Sequence, residues 1–145
     1  MIVKAAKQMG DGKRSHELRV ETRSRNEFKD LTGAVQDLVK GSHVESGVCH
    51  LFTPHTSAAI LINENDDPAL QSDLDEFLKR LAPVDGEYLH NDGNCDAHLK
   101  AALIGCSKTL LIEDGRLLLG RWQGVFLCEF DGPRQRNIRV KIVSD

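Results

Sequence analysis

Residues 58–63, AAILIN, are apolar at both parities, so a strand formed there has to be covered on two faces. That requirement places the centre of a sheet at this segment and asks the rest of the chain for packing on either side. A helix start comes next. Asp67 offers a capping carboxylate, and Pro68 occupies the first helical position, where a missing N–H is no loss. Leu70, Leu74, Phe77, Leu78 and Leu81 then recur at helical spacing as one apolar face, and Pro83 ends the run.

The remaining elements read outward from this core. HELRVET (residues 16–22) alternates as a strand with one wet face, and IVKAAKQ before it is a candidate partner. NEFKDLTGAVQDLVKGS (residues 26–42) spaces Phe28, Leu31, Val35, Leu38 and Val39 as a helical stripe that Gly33 weakens and Gly41 stops in a left-handed turn. GVCHLFT (residues 47–53) is extended. Residues 84–95, rich in Gly, Asn and Asp, form a surface loop of the length that often carries function. A short third helix begins near Asp96 and stops at Gly105. After it come the strands SKTLLIE, RLLLG, GVFLCEF and IRVKIV, the first two joined by an Asp114-Gly115 hairpin turn. The expected class is α+β: a mixed, largely antiparallel sheet with two main helices and one short helix, in a single domain over residues 1–145.

Composition narrows the partners. A net charge of -3 with 40% hydrophobic residues fits a globular domain and lacks the basic excess of a nucleic-acid binder. At the C-terminus Ile138, Val140 and Ile142 share one parity while Arg139 and Lys141 take the other, so the positive charge reads as the wet face of a strand. The first residues have no apolar signal core and no later stretch is long enough to span a bilayer, which predicts a cytoplasmic protein with no membrane partner. The four cysteines form no CxxC pair, so neither a zinc ribbon nor a disulfide framework is encoded.

Three histidines carry the chemical interest. His55 precedes Thr56 and Ser57 at a strand turn, and reads either as a hydrogen-bonded core histidine or as a ligand. His90 lies in the long loop, and His98 falls in the first turn of the third helix, where the helix dipole disfavours the cation and keeps the imidazole neutral. Three neutral imidazoles suit a transition metal such as Zn2+ with an open position. Past the strand end, Asn63, Glu64, Asn65, Asp66 and Asp67 gather oxygen groups that either hold Mg2+ or serve as turn and cap residues. DGRLLLGRWQG (residues 114–124) offers Arg116 and Arg121 as phosphate forks, with Trp122 as a contact or a core residue. No Walker loop, dinucleotide fingerprint or nucleophile elbow is present.

HTSAAILINEN, DPALQSDL, YLHNDGNCDAHLKAALIG and DGRLLLGRWQGVFLCEFDGPR, in this order, make the chain resemble the YjbQ family over nearly its whole length. The resemblance implies a pseudobarrel-like α+β fold, a homotrimer, and a weak thiamine-phosphate synthase activity that joins a pyrimidine diphosphate to a thiazole phosphate and releases pyrophosphate. It places the site at His55, Glu64, His90, His98 and the Trp122-Gln123 segment. On that expectation His55, Glu64 and Gln123 act catalytically. Thr56, Ser57, Asn63, Lys100, Arg116 and Trp122 bind the phosphorylated substrate, and His55, His90 and His98 hold a divalent metal, Zn2+ or Mg2+, that neutralises the diphosphate. A metal-dependent phosphate-ester hydrolase and a non-catalytic trimer binding a phosphorylated ligand or metal are the alternatives.

Overall fold

A computed structural model describes the backbone of residues 3–8 and the whole of residues 14–145. The first strand, β1 (Val3–Gln8), pairs antiparallel with β2 (Ser15–Glu21), as the alternation predicts, and β2 buries Leu18 and Val20. Then come β3 (Glu27–Asp30), α1 (Thr32–Ser42), β4 (Gly47–Phe52), β5 (Ala58–Glu64), α2 (Pro68–Leu81) and α3 (Cys95–Ile104). The chain closes with β6 (Ser107–Glu113), β7 (Arg116–Leu117), β8 (Gln123–Glu129) and β9 (Gln135–Ser144). The strands form a six-stranded sheet in the order β1-β2-β9-β4-β6-β7 and a three-stranded sheet, β3-β8-β5. The fold is α+β as expected. In place of a mixed sheet, every strand pairing among the described residues is antiparallel.

The doubly apolar segment meets its requirement in an unexpected place. β5 is the edge of the smaller sheet rather than a centre, with β8 in the middle. It is nevertheless covered on both faces: Ala58 and Ile60 join the large cluster around Val35, Leu51 and Leu127, whereas Ala59 joins a second cluster with Leu78, Ala97 and Phe130. A large aliphatic residue as fully buried as Ile60 contributes about 1.5–3 kcal/mol to folding. Coverage therefore comes from the other sheet on one side and from α2 and α3 on the other.

Three local expectations change. Residues 27–30 are strand, with Phe28 opposite Cys128, so α1 starts only after Leu31. Ladder hydrogen bonds and packing against β8 override a helical spacing that Phe28 satisfied by coincidence. At the other end Gly41 stays inside α1, and His43 takes the left-handed turn at φ 58°. RLLLG shrinks to the two paired residues of β7, although Asp114 and Gly115, at φ 50° and 72°, form the predicted hairpin turn. The cap of α2 is as read: the Asp67 carboxylate accepts from the Ala69 N–H at 2.9 Å. Of its apolar face only Leu78 is buried, while Phe77 and Leu81 stand 54% and 56% exposed. No helix among the described residues is long and apolar enough to cross a membrane.

Candidate functional site: a histidine groove

The turn between β4 and β5 is pinned before any ligand enters. Thr53 donates its N–H to Cys106 O at 2.8 Å and its hydroxyl to Asn137 O at 3.2 Å, tying the turn to the start of β6 and to β9. Below it lies a buried ion pair. Arg136 donates Nε–H to Glu129 at 2.7 Å, and one Nη donates to the Ser57 hydroxyl at 2.8 Å. Glu129 also accepts from the Thr22 hydroxyl and the Asp131 N–H, so each oxygen of this buried carboxylate is served.

His55 stands on this platform, half-buried, with Nε2 accepting the Asn137 N–H at 2.9 Å. An amide can only donate, so Nε2 carries the lone pair and Nδ1 carries the proton. Burial holds the His55 pKa below its ordinary value, the Arg136 and Arg134 charges act in the same direction, and Glu129 opposes them. His55 is therefore a neutral hydrogen-bond donor.

The other two histidines have their nitrogens fixed by similar logic. His98 Nδ1 lies 3.0 Å from the Thr56 carbonyl, which can only accept, so Nδ1 carries the proton and Nε2 the lone pair. The Asn94 amide donates to Asp131 at 2.9 Å and presents its oxygen to His90 Nε2 at 3.2 Å. His90 thus donates through Nε2 and keeps a lone pair on Nδ1. Hydrogen bonds from Asn94 and Arg134 hold the Asp131 pKa low against burial, which acts the other way, and this fixes the orientation of Asn94. The His90 and His98 rings meet edge to face, centroids 5.2 Å apart. His55, Thr56, His98, Cys106 and apolar Phe52 and Ala101 line one open groove of about 490 Å³.

His90 lines a neighbouring hollow with Tyr88 and Cys95 and meets the groove only through its ring contact with His98, and within one chain the remaining predicted site residues lie farther off. Glu64, half-buried, faces Gln123 in the ladder, and Asn63 faces Gly124, at the far end of a seven-residue strand about 20 Å long. Trp122, 51% exposed and stacked by Arg121 at 4.8 Å, belongs to that end and is not core. Ser57 is buried and bonded to Arg136, so it braces the turn and is closed to substrate. Lys100 is also removed from the groove: it is 1% exposed and pairs with Asp96 at 3.0 Å on another face of α3. Arg116 is exposed on β7, at the outer edge of the large sheet. The acidic run past β5 does not converge on a cation: Asp67 caps α2, Asn65 donates to Asp30, and Asn63 caps the Glu64 N–H. Among the described residues no three His, Cys, Asp or Glu side chains come together as a metal site. The sequence reading missed Asn94 and Asn137, which set the tautomers of His90 and His55, and the Glu129–Arg136 pair beneath His55.

A two-sheet antiparallel α+β unit with an imidazole-lined groove beside its β4–β5 turn defines the class. By sequence the chain belongs to the YjbQ family, whose model, described as UPF0047 protein YjbQ-like, matches residues 16–145. It is 45% identical to a UPF0047 protein of Methanocaldococcus jannaschii over 87% of this chain and 91% of that one. A crystal structure of the Clostridium acetobutylicum member of the family superposes with a TM-score of 0.86 at 44% identity, covering 88% of this chain and 98% of that one. A Sulfolobus solfataricus structure, described as a YbjQ-like protein of unknown function, gives 0.87 at 34% identity over 90% and 96%.

Proposed function

We propose that the groove is the active site of a cytoplasmic transferase of the thiamine-phosphate synthase type, joining a pyrimidine diphosphate to a thiazole phosphate. The observation that carries this reading is the division of labour among the three imidazoles: His90 Nδ1 and His98 Nε2 keep lone pairs while His55 Nδ1 keeps a proton. The His55 Nδ1–H donates to the departing diphosphate oxygens. The Thr56 hydroxyl, exposed at the rim, orients the second phosphate. The apolar wall at Phe52 and Ala101 takes the heterocycle.

His90 and His98 are two of the donors a divalent ion, Zn2+ or Mg2+, requires; when bound, it would neutralise phosphate charge. His55 has its Nε2 committed to Asn137, so the predicted three-histidine set is not formed in one chain and a further donor comes from another copy. A homotrimer that sets the groove of one copy against the Glu64, Gln123, Asn63 and Trp122 end of the next would reunite the residues that β5 separates. Incubation of the purified protein with both precursors should release pyrophosphate and form thiamine phosphate, and His98→Ala should lower the rate about a hundredfold. Hydrolysis of simple phosphoesters that a chelator abolishes selects a phosphate hydrolase instead. Tight binding of either precursor without turnover selects a non-catalytic binding protein, and a sedimenting monomer with full activity removes the shared site.

A further inference from the structure

The outer face of the six-stranded sheet carries an apolar row that belongs to neither core cluster. Val48 on β4 stands directly opposite Leu111 on β6 and Val143 on β9. The Leu118 N–H donates to Leu111 O at 2.8 Å, which extends the row to the residue after β7. Cross-strand partners share a face with their side chains about 5 Å apart, so these four residues form one stripe across neighbouring strands. Cys49, Leu110, Ile112 and Ile142, next to them in the chain, point the other way into the core. Leu111, Leu118 and Val143 are 51%, 48% and 41% exposed, and Val48 is half-buried. A contiguous exposed apolar stripe with polar rims marks a protein interface.

The two rims carry opposite charge. Two residues along each strand on one side stand Glu113, Ser46 and Asp145, with the Ser46 hydroxyl donating to the Asp145 carboxylate. Two residues along on the other side stand Thr109, His50 and Lys141, which pair across β6, β4 and β9. Val143 therefore lies midway between Lys141 and Asp145. A twofold axis along the stripe lays each apolar residue on its own counterpart and brings Lys141 of each chain over Asp145 of the other. A twofold axis along β4 would instead exchange β6 with β9 and set Glu113 on Asp145, like charge on like. The charges thus select one register, and in that register the face is complementary to a second copy of itself.

We propose that this face joins two copies of the chain, sheet on sheet, through the Leu118, Leu111, Val48 and Val143 stripe and two reciprocal pairs between Lys141 and Asp145. The trimer of the proposed function joins the two ends of β5, so pairing through this face doubles whatever assembly the groove forms. Three rows on four strands cover roughly 400 Å² of each copy, about half of a standard interface, which makes the association weak and concentration-dependent. Sedimentation equilibrium of the full chain from about 5 to 500 μM tests it, with the wild-type mass at the top of the range twice that of Leu111→Lys. That variant opposes like charges on the axis at an exposed position, and its urea midpoint should stay at the wild-type value. Lys141→Asp should weaken the association about tenfold, and adding Asp145→Lys should restore it, because exchanging the two signs keeps them opposed. A wild-type mass equal to that of Leu111→Lys throughout the range would overturn the proposal. So would a double variant that associates no better than Lys141→Asp alone.

Discussion

Among the described residues two ion pairs are buried, and they are built to opposite specifications. Around Glu129 and Arg136 both carboxylate oxygens and two guanidinium nitrogens are engaged by Thr22, Ser57, the Asp131 N–H and each other. Around Asp96 and Lys100 one carboxylate serves two cations, and the pair forms part of the floor of a cavity of about 480 Å³. A closed network fixes geometry, here that of the β4–β5 turn and His55; an open one leaves valence for a ligand. Burial alone does not separate the two roles. The count of unmet donors and acceptors does.

This contrast breaks most readily through Arg136→Met. It strands Glu129 in the core and should destabilise the fold by about 3–5 kcal/mol in urea titration, with the groove deformed as well. Asp96→Asn leaves Lys100 without a counter-charge and Arg25 with only Asp131, 3.9 Å away, but the adjoining cavity lies open beside them, and the loss should be smaller, about 1–3 kcal/mol. Equal losses for the two variants would mean that both pairs are scaffold. Asp67→Ala supplies the yardstick: a single capping bond at the start of α2, worth about 1 kcal/mol and remote from both networks.

How far the sequence foretold these regions depends on the distance over which each signal acts. The Asp67-Pro68 start of α2, the Gly105 stop of α3 and the Asp114-Gly115 turn are local chemistry, and each stands where the residues put it. The two-sided burial of β5 was legible too, although not which sheet it joins, because the partner β8 lies some sixty residues on. Glu64 and His55 look adjacent as text, yet a strand rises about 3.3 Å per residue, which already sets them at opposite ends. The Arg136 pair had a readable clue: Arg136 shares parity with Ile138 and Val140, and a cation on a buried face requires a counter-charge. Its partner could not be named, since it comes from another strand.

The smallest predicted effect tests whether the closed network controls the groove. The folded-state pKa of His55 lies below its unfolded value, by burial first and by Arg136 next. As pH falls below about 6.5 the unfolded chain takes up a proton at this position before the folded one does. The contribution of neutral His55 is thus fully present above that pH and is lost as pH falls toward the folded-state pKa. Urea midpoints measured from pH 8 down to pH 5 should decline more in the wild type than in His55→Gln, which cannot titrate but can still accept the Asn137 N–H. Parallel curves would show that protonation of His55 is not coupled to folding and that Glu129 fully offsets the arginine charges. A steeper fall in the wild type would tie the hydrogen-bond donor of the groove to the ion pair beneath it, since the Arg136 charge that keeps Glu129 in the core is also one that keeps the imidazole neutral.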